Sequence, residues 1–163
     1  MPTREENSQK ERNKALIRSF IKEVLNEHNL LAIEKYFTKD FIEGIPHHAE
    51  KEGEGFKQFL TEFFEAFPDM RTTIEHIVAE NNLVTVFLSG SGTHKGAFKG
   101  VPPTNKQVNI RSADLYRIGS GVITGHWEMV DQLNLLKQTG SLLSESTGEE
   151  FKDARVVWIR GYK

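Results

Sequence analysis

The first part of the chain carries apolar residues at helical spacing. Between Asn7 and Glu27, charged residues separate apolar positions that fall on one helical face: Leu16, Ile17, Phe20, Ile21, Val24 and Leu25. This period predicts a long amphipathic helix, and His28-Asn29 provides its stop signal. The helix therefore has one face to bury against the rest of the fold.

Two further helices are predicted before the pattern changes. A short helix is expected over residues 30–37, and Gly53-Glu54-Gly55 opens a third helix that ends at Pro68. One face of the third helix is almost entirely aromatic, comprising Phe56, Phe59, Leu60, Phe63, Phe64 and Phe67. So much aromatic bulk on one side predicts that this helix lies over a sheet.

After Pro68 the apolar period changes from helical to alternating. The alternating segments are Arg71–Glu80, Leu83–His94, Lys106–Ile118 and Val122–Val130. Turn residues separate the first two segments at Asn81-Asn82 and the last two at Gly119-Ser120-Gly121, so four antiparallel strands are predicted. A closing helix is expected from Asp131 to Thr139, with Gly140 as its end.

Helices followed by a run of strands predict an α+β domain. We expect a cone-shaped α+β barrel, with three N-terminal helices packed on a strongly bent antiparallel sheet that encloses a pocket. The 163 residues suit one domain, which we place at residues 1–143, and residues 144–163 form a C-terminal extension. In that extension, Val156–Ile159 is predicted to add as an edge strand or to pack on a partner subunit.

Composition narrows the classes of partner. The chain is 37% hydrophobic with 11 phenylalanines, which indicates a globular protein, and it has no cysteine, which excludes disulfides and thiolate nucleophiles. Its 21 Lys and Arg against 23 Asp and Glu leave no basic surface for nucleic acid or an anionic membrane. The N-terminal residues lack the apolar core of a signal peptide, so we expect a cytoplasmic location and no membrane partner.

The last two predicted strands carry the clearest candidate chemistry. Symmetrical pairing about Ser120 places Asp114 opposite His126 and Ser112 opposite Glu128, with all four side chains on one face. One interpretation is that this face simply meets water, as one face of an antiparallel sheet often does. The other is that it lines the pocket, where burial and like charge prepare one carboxylate as a base and the other as an acid.

The opposite face of this hairpin is apolar. It is predicted to carry Ala113, Leu115, Ile123, Trp127 and Met129, flanked by Arg111 and Arg117. Because helices are expected to cover the other side of the sheet, this apolar face predicts a homodimer.

Four segments together resemble a known family in order and spacing. They are Glu54–Leu60, Phe67-Pro68-Asp69, the Gly-Thr-His-Lys-Gly stretch that runs from Gly92 to Thr104, and the His-Trp-Glu-Met-Val-Asp stretch within Gly125–Gly140. From about residue 13 to 140 the chain resembles the SnoaL-like polyketide cyclases and their ester-cyclase relatives. The resemblance implies their cone-shaped fold and places the last strands on the pocket side.

The resemblance also implies a reaction that needs no cofactor and no metal. In the family's cyclases, the acidic residue of the His-Trp-acid motif is the general acid/base for an intramolecular aldol ring closure, and that role falls on Glu128. Asp114 corresponds to a second polar pocket position, and His126 orients or shares the proton. This chain has Glu at 128 where the family has Asp, and Asp at 114 where His is expected.

The remaining candidates are expected to bind a small apolar ligand. They are His94 of the Gly-Thr-His motif, His47 in the loop after the second helix, Tyr116 on the polar strand face and Phe63 on the aromatic helix. No ligand spacing such as His-Glu-x-x-His is present, so no metal site is predicted.

Three functions remain open from the sequence. The chain could be a cyclase or isomerase-type enzyme, a non-catalytic small-molecule-binding module, or a dimerisation domain with a residual pocket. A chamber filled by phenylalanines would favour the last, and an open apolar chamber with Asp114 and Glu128 converging would favour the first.

Overall fold

The computed structural model describes residues 3–38, 55–140 and, as backbone, 160–161. Its helices are α1 (Arg4–Phe20), α2 (Phe56–Ala66) and α3 (Gln132–Thr139), and its strands are β1 (Arg71–Glu80), β2 (Leu83–Thr93), β3 (Gln107–Gly119), β4 (Val122–Val130) and β5 (Arg160–Gly161). Helices pack against one antiparallel sheet, so the predicted α+β class is confirmed. None of the described helices is long and apolar enough to cross a membrane.

Helix α1 begins earlier than the apolar period indicates. Thr3 and Glu6 form a capping box, in which the Thr3 hydroxyl accepts from the Glu6 backbone N–H and the Glu6 carboxylate accepts from that of Thr3. The helix then continues as a π-helical turn over Ile21–Asn26, and a 3-10 helix follows over Leu30–Lys35. Together these segments place one continuous apolar surface over the sheet.

The sheet runs in chain order from β1 to β5, and every neighbouring pair is antiparallel. Its inner face packs against the helices through Ile17, Phe20, Ile21, Val24, Ile33, Leu60, Val84 and Val86. A smaller cluster near α3 contains Ala66, Phe67, Met70, Val108 and Leu135. A space between the helices and the inner face accommodates the cavity described below.

The β3–β4 register differs from the symmetrical pairing predicted about Ser120. Tyr116 pairs with His126 and Asp114 pairs with Glu128, because the turn takes two residues and β4 then holds one extra residue at Thr124. The turn residues Ser120 and Gly121 both have positive φ, of 51° and 80°, which suits a tight two-residue hairpin. The pairs therefore move by two positions, which leaves the polar side chains on their predicted face.

The extra residue in β4 also shows that the prediction for Ile123 was wrong. Because the extra residue follows it, Ile123 lies on the inner face and is fully buried in the core, not on the apolar outer face. Its backbone N–H donates to the Tyr36 carbonyl over 2.6 Å, and its carbonyl accepts from the Thr38 N–H. The start of β4 is thus tied to the chain that leaves the 3-10 helix.

Two side-chain amides take the place of a neighbouring strand. The Asn26 amide accepts from the Thr72 N–H and donates to the Thr72 carbonyl at the open edge of β1. Gln138 of α3 makes the same pair of bonds with Asn109 of β3, beyond the end of β4. These contacts fix the π-helical turn and α3 relative to the sheet.

The outer face of the sheet keeps apolar side chains that no described helix covers. Phe87, Ala113 and Met129 form one row across three strands, and Leu115 and Trp127 form the next. Phe87 is 49% exposed and Met129 is 57% exposed. We call these five residues the outer apolar face.

The C-terminal extension reaches the edge of β4. Arg160 and Gly161 pair antiparallel with Glu128 and Trp127. Val156–Ile159 and the expected boundary between residues 143 and 144 lie outside the described residues, so both remain predictions.

Candidate functional site

A cavity of about 160 Å³ lies between the inner face of the sheet, α2, α3 and the loop after β2. Most of its wall is aromatic or aliphatic, with contributions from Phe20, Phe56, Phe59, Phe63, Phe67, Phe98, Ile110, Leu135 and Leu136. Of the residues predicted for the site, Glu128, Asp114, His126, His94, Tyr116 and Phe63 all line it. His47 lies outside the described residues.

A buried polar cluster occupies the wall on β3 and β4. His126 Nε2 lies 2.9 Å from Asp114 Oδ1, and the Ser112 hydroxyl donates to Asp114 Oδ2 over 2.7 Å. Asp114 and His126 are both buried, and Glu128 lies directly across the strand pair from Asp114. Because a carboxylate can only accept, His126 donates through Nε2, and Asp114 has a partner on each oxygen.

Tyr116 sits beside this cluster as the register partner of His126. The two rings stack in parallel, with centroids 4.6 Å apart and an interplanar angle of 2°. Burial, followed by the negative charges of Asp114 and Glu128, raises the pKa of Tyr116 well above its usual 10. The phenol therefore stays protonated and can donate a hydrogen bond.

Aromatic edges separate the cluster from water. The Phe56 ring meets His126 edge-on at 5.7 Å, and the Phe20 ring meets Tyr116 edge-on at 6.0 Å. Phe56 is the first residue of α2 and Phe20 the last of α1, so both helix ends contribute to the wall. Where aromatic rings exclude water in this way, the electrostatic interactions of the enclosed polar groups become stronger.

His94 lies toward the other end of the cavity. It follows β2, its backbone N–H donates to the Lys106 carbonyl, and Asp114 lies eight positions after Lys106, which is roughly 25 Å along an extended strand. The His94 ring is buried and stacks on Phe67 at 5.2 Å, with Nδ1 3.1 Å from the Thr104 hydroxyl. The structure therefore separates His94 from the Asp114–His126 pair along one cavity.

Burial also sets the charge of His94. It lowers the pKa of this histidine below its usual 6.5, while the backbone of Gly96 opposes part of that shift. A neutral ring suits its position against Phe67, since an imidazolium would lose hydration there.

The sequence motifs around His94 contact one another and close this end of the fold. The Asp69 carboxylate accepts from both the backbone N–H and the hydroxyl of Thr93, over 2.7 and 2.6 Å. A Cβ on Gly96 would lie 2.6 Å from the Glu65 carbonyl oxygen, so this position leaves no room for a side chain. We call Asp69, Thr93 and Gly96 the latch, because they hold the end of α2 against the end of β2.

Sequence analysis did not assign a role to several cavity residues. Ser112 lies on the inner face with Asp114. The alternation of side chains along β3 could have predicted that it would line the cavity. Phe98 and Val101 pair in a small hairpin within the loop after β2, and α3 contributes Leu135 and Leu136. No local pattern indicated that the loop or α3 would reach the cavity.

Over residues 3–38 and 55–140, no three His, Asp or Glu side chains are grouped closely enough to hold a metal ion.

The chain is similar to proteins of one family. A family model described as SnoaL-like polyketide cyclase matches residues 15–139. A search of curated proteins finds no match.

The solved structures that resemble this chain include the following three. A candidate polyketide cyclase from Acidithiobacillus ferrooxidans is 27% identical, with a TM-score of 0.64 over 80% of this chain and 95% of that one. IdmH, a candidate polyketide cyclase from Streptomyces antibioticus, is 27% identical, with a TM-score of 0.63 over 78% and 98%. AclR, a candidate hydroxylase from Streptomyces galilaeus, is 24% identical, with a TM-score of 0.67 over 79% and 96%, and it shows the shared fold alone.

Proposed function

The chain belongs to the SnoaL-like polyketide cyclase family, and from that premise we propose that it is an enzyme performing cofactor-free acid–base chemistry on a small apolar carbonyl compound. An intramolecular aldol cyclisation is the model reaction. The observation that carries the proposal is the buried Asp114–His126 pair, which lies across from Glu128 in the wall of an apolar cavity.

The cavity supports a ligand-binding role over a purely structural one. Its phenylalanines line an open space and do not fill it, and polar groups converge on one wall. This arrangement is typical of small-molecule sites, where apolar walls give affinity and a few polar groups give orientation. A dimerisation domain with a collapsed pocket is therefore the weakest of the three functions.

In the proposed reaction, Glu128 acts as the base. Its carboxylate removes a proton from a carbon next to a substrate carbonyl, and the electron pair of that C–H bond forms an enolate. The enolate carbon then forms a bond to a second carbonyl carbon of the same molecule, whose π electrons move to its oxygen. The alkoxide takes one proton, and the proton held by Glu128 returns to the acid, so the product is an isomer of the substrate.

The contacts favour assigning the acid role to Asp114 and His126 as a unit. Asp114 accepts from both Ser112 and His126, which suits an ionised acceptor that orients the imidazole more than a free carboxylic acid. In the proposed step the imidazole starts as imidazolium, bonded to Asp114 over 2.9 Å; it gives one proton to the alkoxide, becomes neutral imidazole, and regains a proton from Glu128. His94, Phe63 and His47 are proposed to contact the ligand away from the reacting atoms.

Proton abstraction can be tested without the natural substrate. 2-Tetralone is an apolar bicyclic ketone whose C1 protons are acidified by the ring and the carbonyl, and their exchange with D₂O is visible by NMR. The wild type should accelerate this exchange, and Glu128→Gln should lose about 10²–10⁴ of the acceleration, because only proton transfer is removed.

Glu75→Gln is the matched control, since Glu75 is exposed on β1 and does not line the cavity. Unchanged exchange in Glu128→Gln would contradict the assignment of the base. If the wild type binds 2-tetralone without exchanging its protons, the chain is instead a ligand-binding module of the same fold. Native mass spectrometry of the purified protein would then identify what it carries.

We also propose that the protein is a homodimer that buries the outer apolar face. The described helices cover only the inner face of the sheet, and Phe87 and Met129 expose about half of their surface on the other side. A contiguous apolar patch of this kind is typical of an interface between subunits.

A further inference from the structure

The Tyr116 hydroxyl lacks a hydrogen-bond partner within the part of the chain that the structure describes. The side chain is 2% exposed, and it lines the cavity. The hydroxyl oxygen is not among the fully enclosed polar atoms that lack a partner, so it opens on the cavity. A ligand bound there can supply the partner that most buried tyrosine hydroxyls have. Tyr36 has such a partner: it is 6% exposed and donates to Glu23 Oε2 over 2.7 Å.

Ring contacts and packing in the hydrophobic core hold the Tyr116 side chain in place. It stacks on His126 from one side and meets the edge of Phe20 from another, and neither contact uses the hydroxyl. Its strand neighbour Asp114 lies two residues away on the same inner face, and Asp114 pairs with Glu128 across the strands. The phenol is thus positioned beside the groups that are proposed to move protons.

We infer that the Tyr116 hydroxyl donates a hydrogen bond to the carbonyl oxygen of the bound ligand and is a further catalytic residue of the site. The ligand is accordingly an apolar ketone whose carbonyl faces β3 and β4. When Glu128 removes the neighbouring proton, negative charge develops on that oxygen, and a donor already in place stabilises it. The catalytic part of this inference rests on the proposed function, whereas the contact with the ketone does not.

The protonation state of Tyr116 is consistent with a donor. Burial and the two nearby carboxylates keep its pKa well above 10, so the hydroxyl retains its proton throughout the neutral range. A neutral donor of this kind does not compete with Glu128 for the substrate proton.

A pair of tricyclic probes can isolate this hydrogen bond. 9-Fluorenone and fluorene share one planar frame, and only fluorenone has a carbonyl; neither has an enolisable proton next to a carbonyl, so no turnover interferes. The wild type should bind fluorenone more tightly than fluorene. Tyr116→Phe should lower the affinity for fluorenone about 5- to 50-fold and leave that for fluorene nearly unchanged.

Tyr36→Phe is the control, because it removes an equally buried hydroxyl that does not line the cavity. It should leave the preference for fluorenone intact. The inference is overturned if the wild type shows no such preference, or if Tyr116→Phe keeps it.

The carbonyl stretching frequency of ¹³C-labelled fluorenone is a second readout. It would not change if Tyr116 had only a structural role. The band should shift to lower frequency on binding to the wild type and further when 3-fluorotyrosine, a stronger donor, replaces tyrosine. An unshifted band would overturn the inference even if Tyr116→Phe failed to fold. Proton exchange of 2-tetralone is a separate measurement, so the proposed function can fail while the fluorenone contact stands.

Discussion

Individual residues in the cavity wall have environments that decide which protons they can hold. Asp114 receives two hydrogen bonds and pairs with an imidazole, while His94 is stacked on a phenylalanine without a charged partner among the groups that contact it. Burial lowers the pKa of His94, which suits a neutral ring. One cavity therefore joins a hydrogen-bonded polar cluster to an apolar end.

His94 should make stability depend on pH. Because burial lowers its folded-state pKa, the unfolded chain binds a proton more readily than the folded one as the pH falls below about 6.5. The stability present above that pH is therefore lost on acidification, and His28, whose pKa is also lowered chiefly by burial, adds to the loss.

We expect His94→Phe, which keeps a ring against Phe67, to reduce this pH dependence. The reduction can reach about 1.4 kcal/mol per pH unit, the limit for one proton. Urea unfolding between pH 5 and 8 would measure it, with Ala97→Ser at an exposed neighbouring position as the control. An unchanged slope in His94→Phe would show that His94 does not carry the effect.

At the scale of elements, the latch and the extra residue in β4 determine the shape of the cavity. The latch joins the end of α2 to the end of β2, and it includes residues of two motifs that the sequence shows far apart. The extra residue at Thr124 turns Ile123 inward and still leaves His126 and Glu128 on the inner face. Both features are small irregularities that position whole segments.

Gly96→Ala tests the close contact within the latch. The added methyl would lie 2.6 Å from a backbone oxygen that cannot rotate away, so α2 or the loop must shift. We expect a loss of roughly 1–3 kcal/mol in the free energy of unfolding, as for overpacked sites. Chemical denaturation would show it, and Ala97→Ser should remain close to the wild type. A wild-type stability for Gly96→Ala would mean that the contact is not tight.

At the scale of the whole molecule, the sheet separates two surfaces with different uses. Its inner face carries the cavity, and its outer apolar face remains uncovered by the described helices. A second copy of the chain could cover that face without obstructing the cavity. Assembly and ligand binding should therefore respond to different substitutions.

Phe87→Glu should disrupt the proposed dimer. A charge on the outer apolar face cannot be buried without a partner, so the variant should sediment as a monomer at micromolar concentration while still binding fluorenone. Leu31→Glu makes the same kind of change at a residue that is 84% exposed away from the sheet, and it should leave the dimer intact. A monomeric wild type would contradict the proposal directly.

The sequence by itself determined the main helices and strands, and the two faces of the strands except at the start of β4, where Ile123 turns inward. Strand alternation placed Asp114, His126 and Glu128 together, because side-chain direction along a strand is a local steric property that needs no knowledge of the rest of the fold. Helical spacing located α2 and its aromatic face for the same reason. The capping box at Thr3 was also present in the sequence, although the apolar period alone did not reveal it.

Only the tertiary structure decided how these parts meet. Register depends on the turn and on the extra residue at Thr124, so the pairing of Asp114 with Glu128 could not follow from symmetry about Ser120. Alternation along a strand is the same whether helices or water cover a face. The inner position of the polar cluster therefore follows only from the packing of α1 and α2 over it. The unpartnered Tyr116 hydroxyl is likewise a property of its surroundings, because the residues that line the cavity around it come from several parts of the chain.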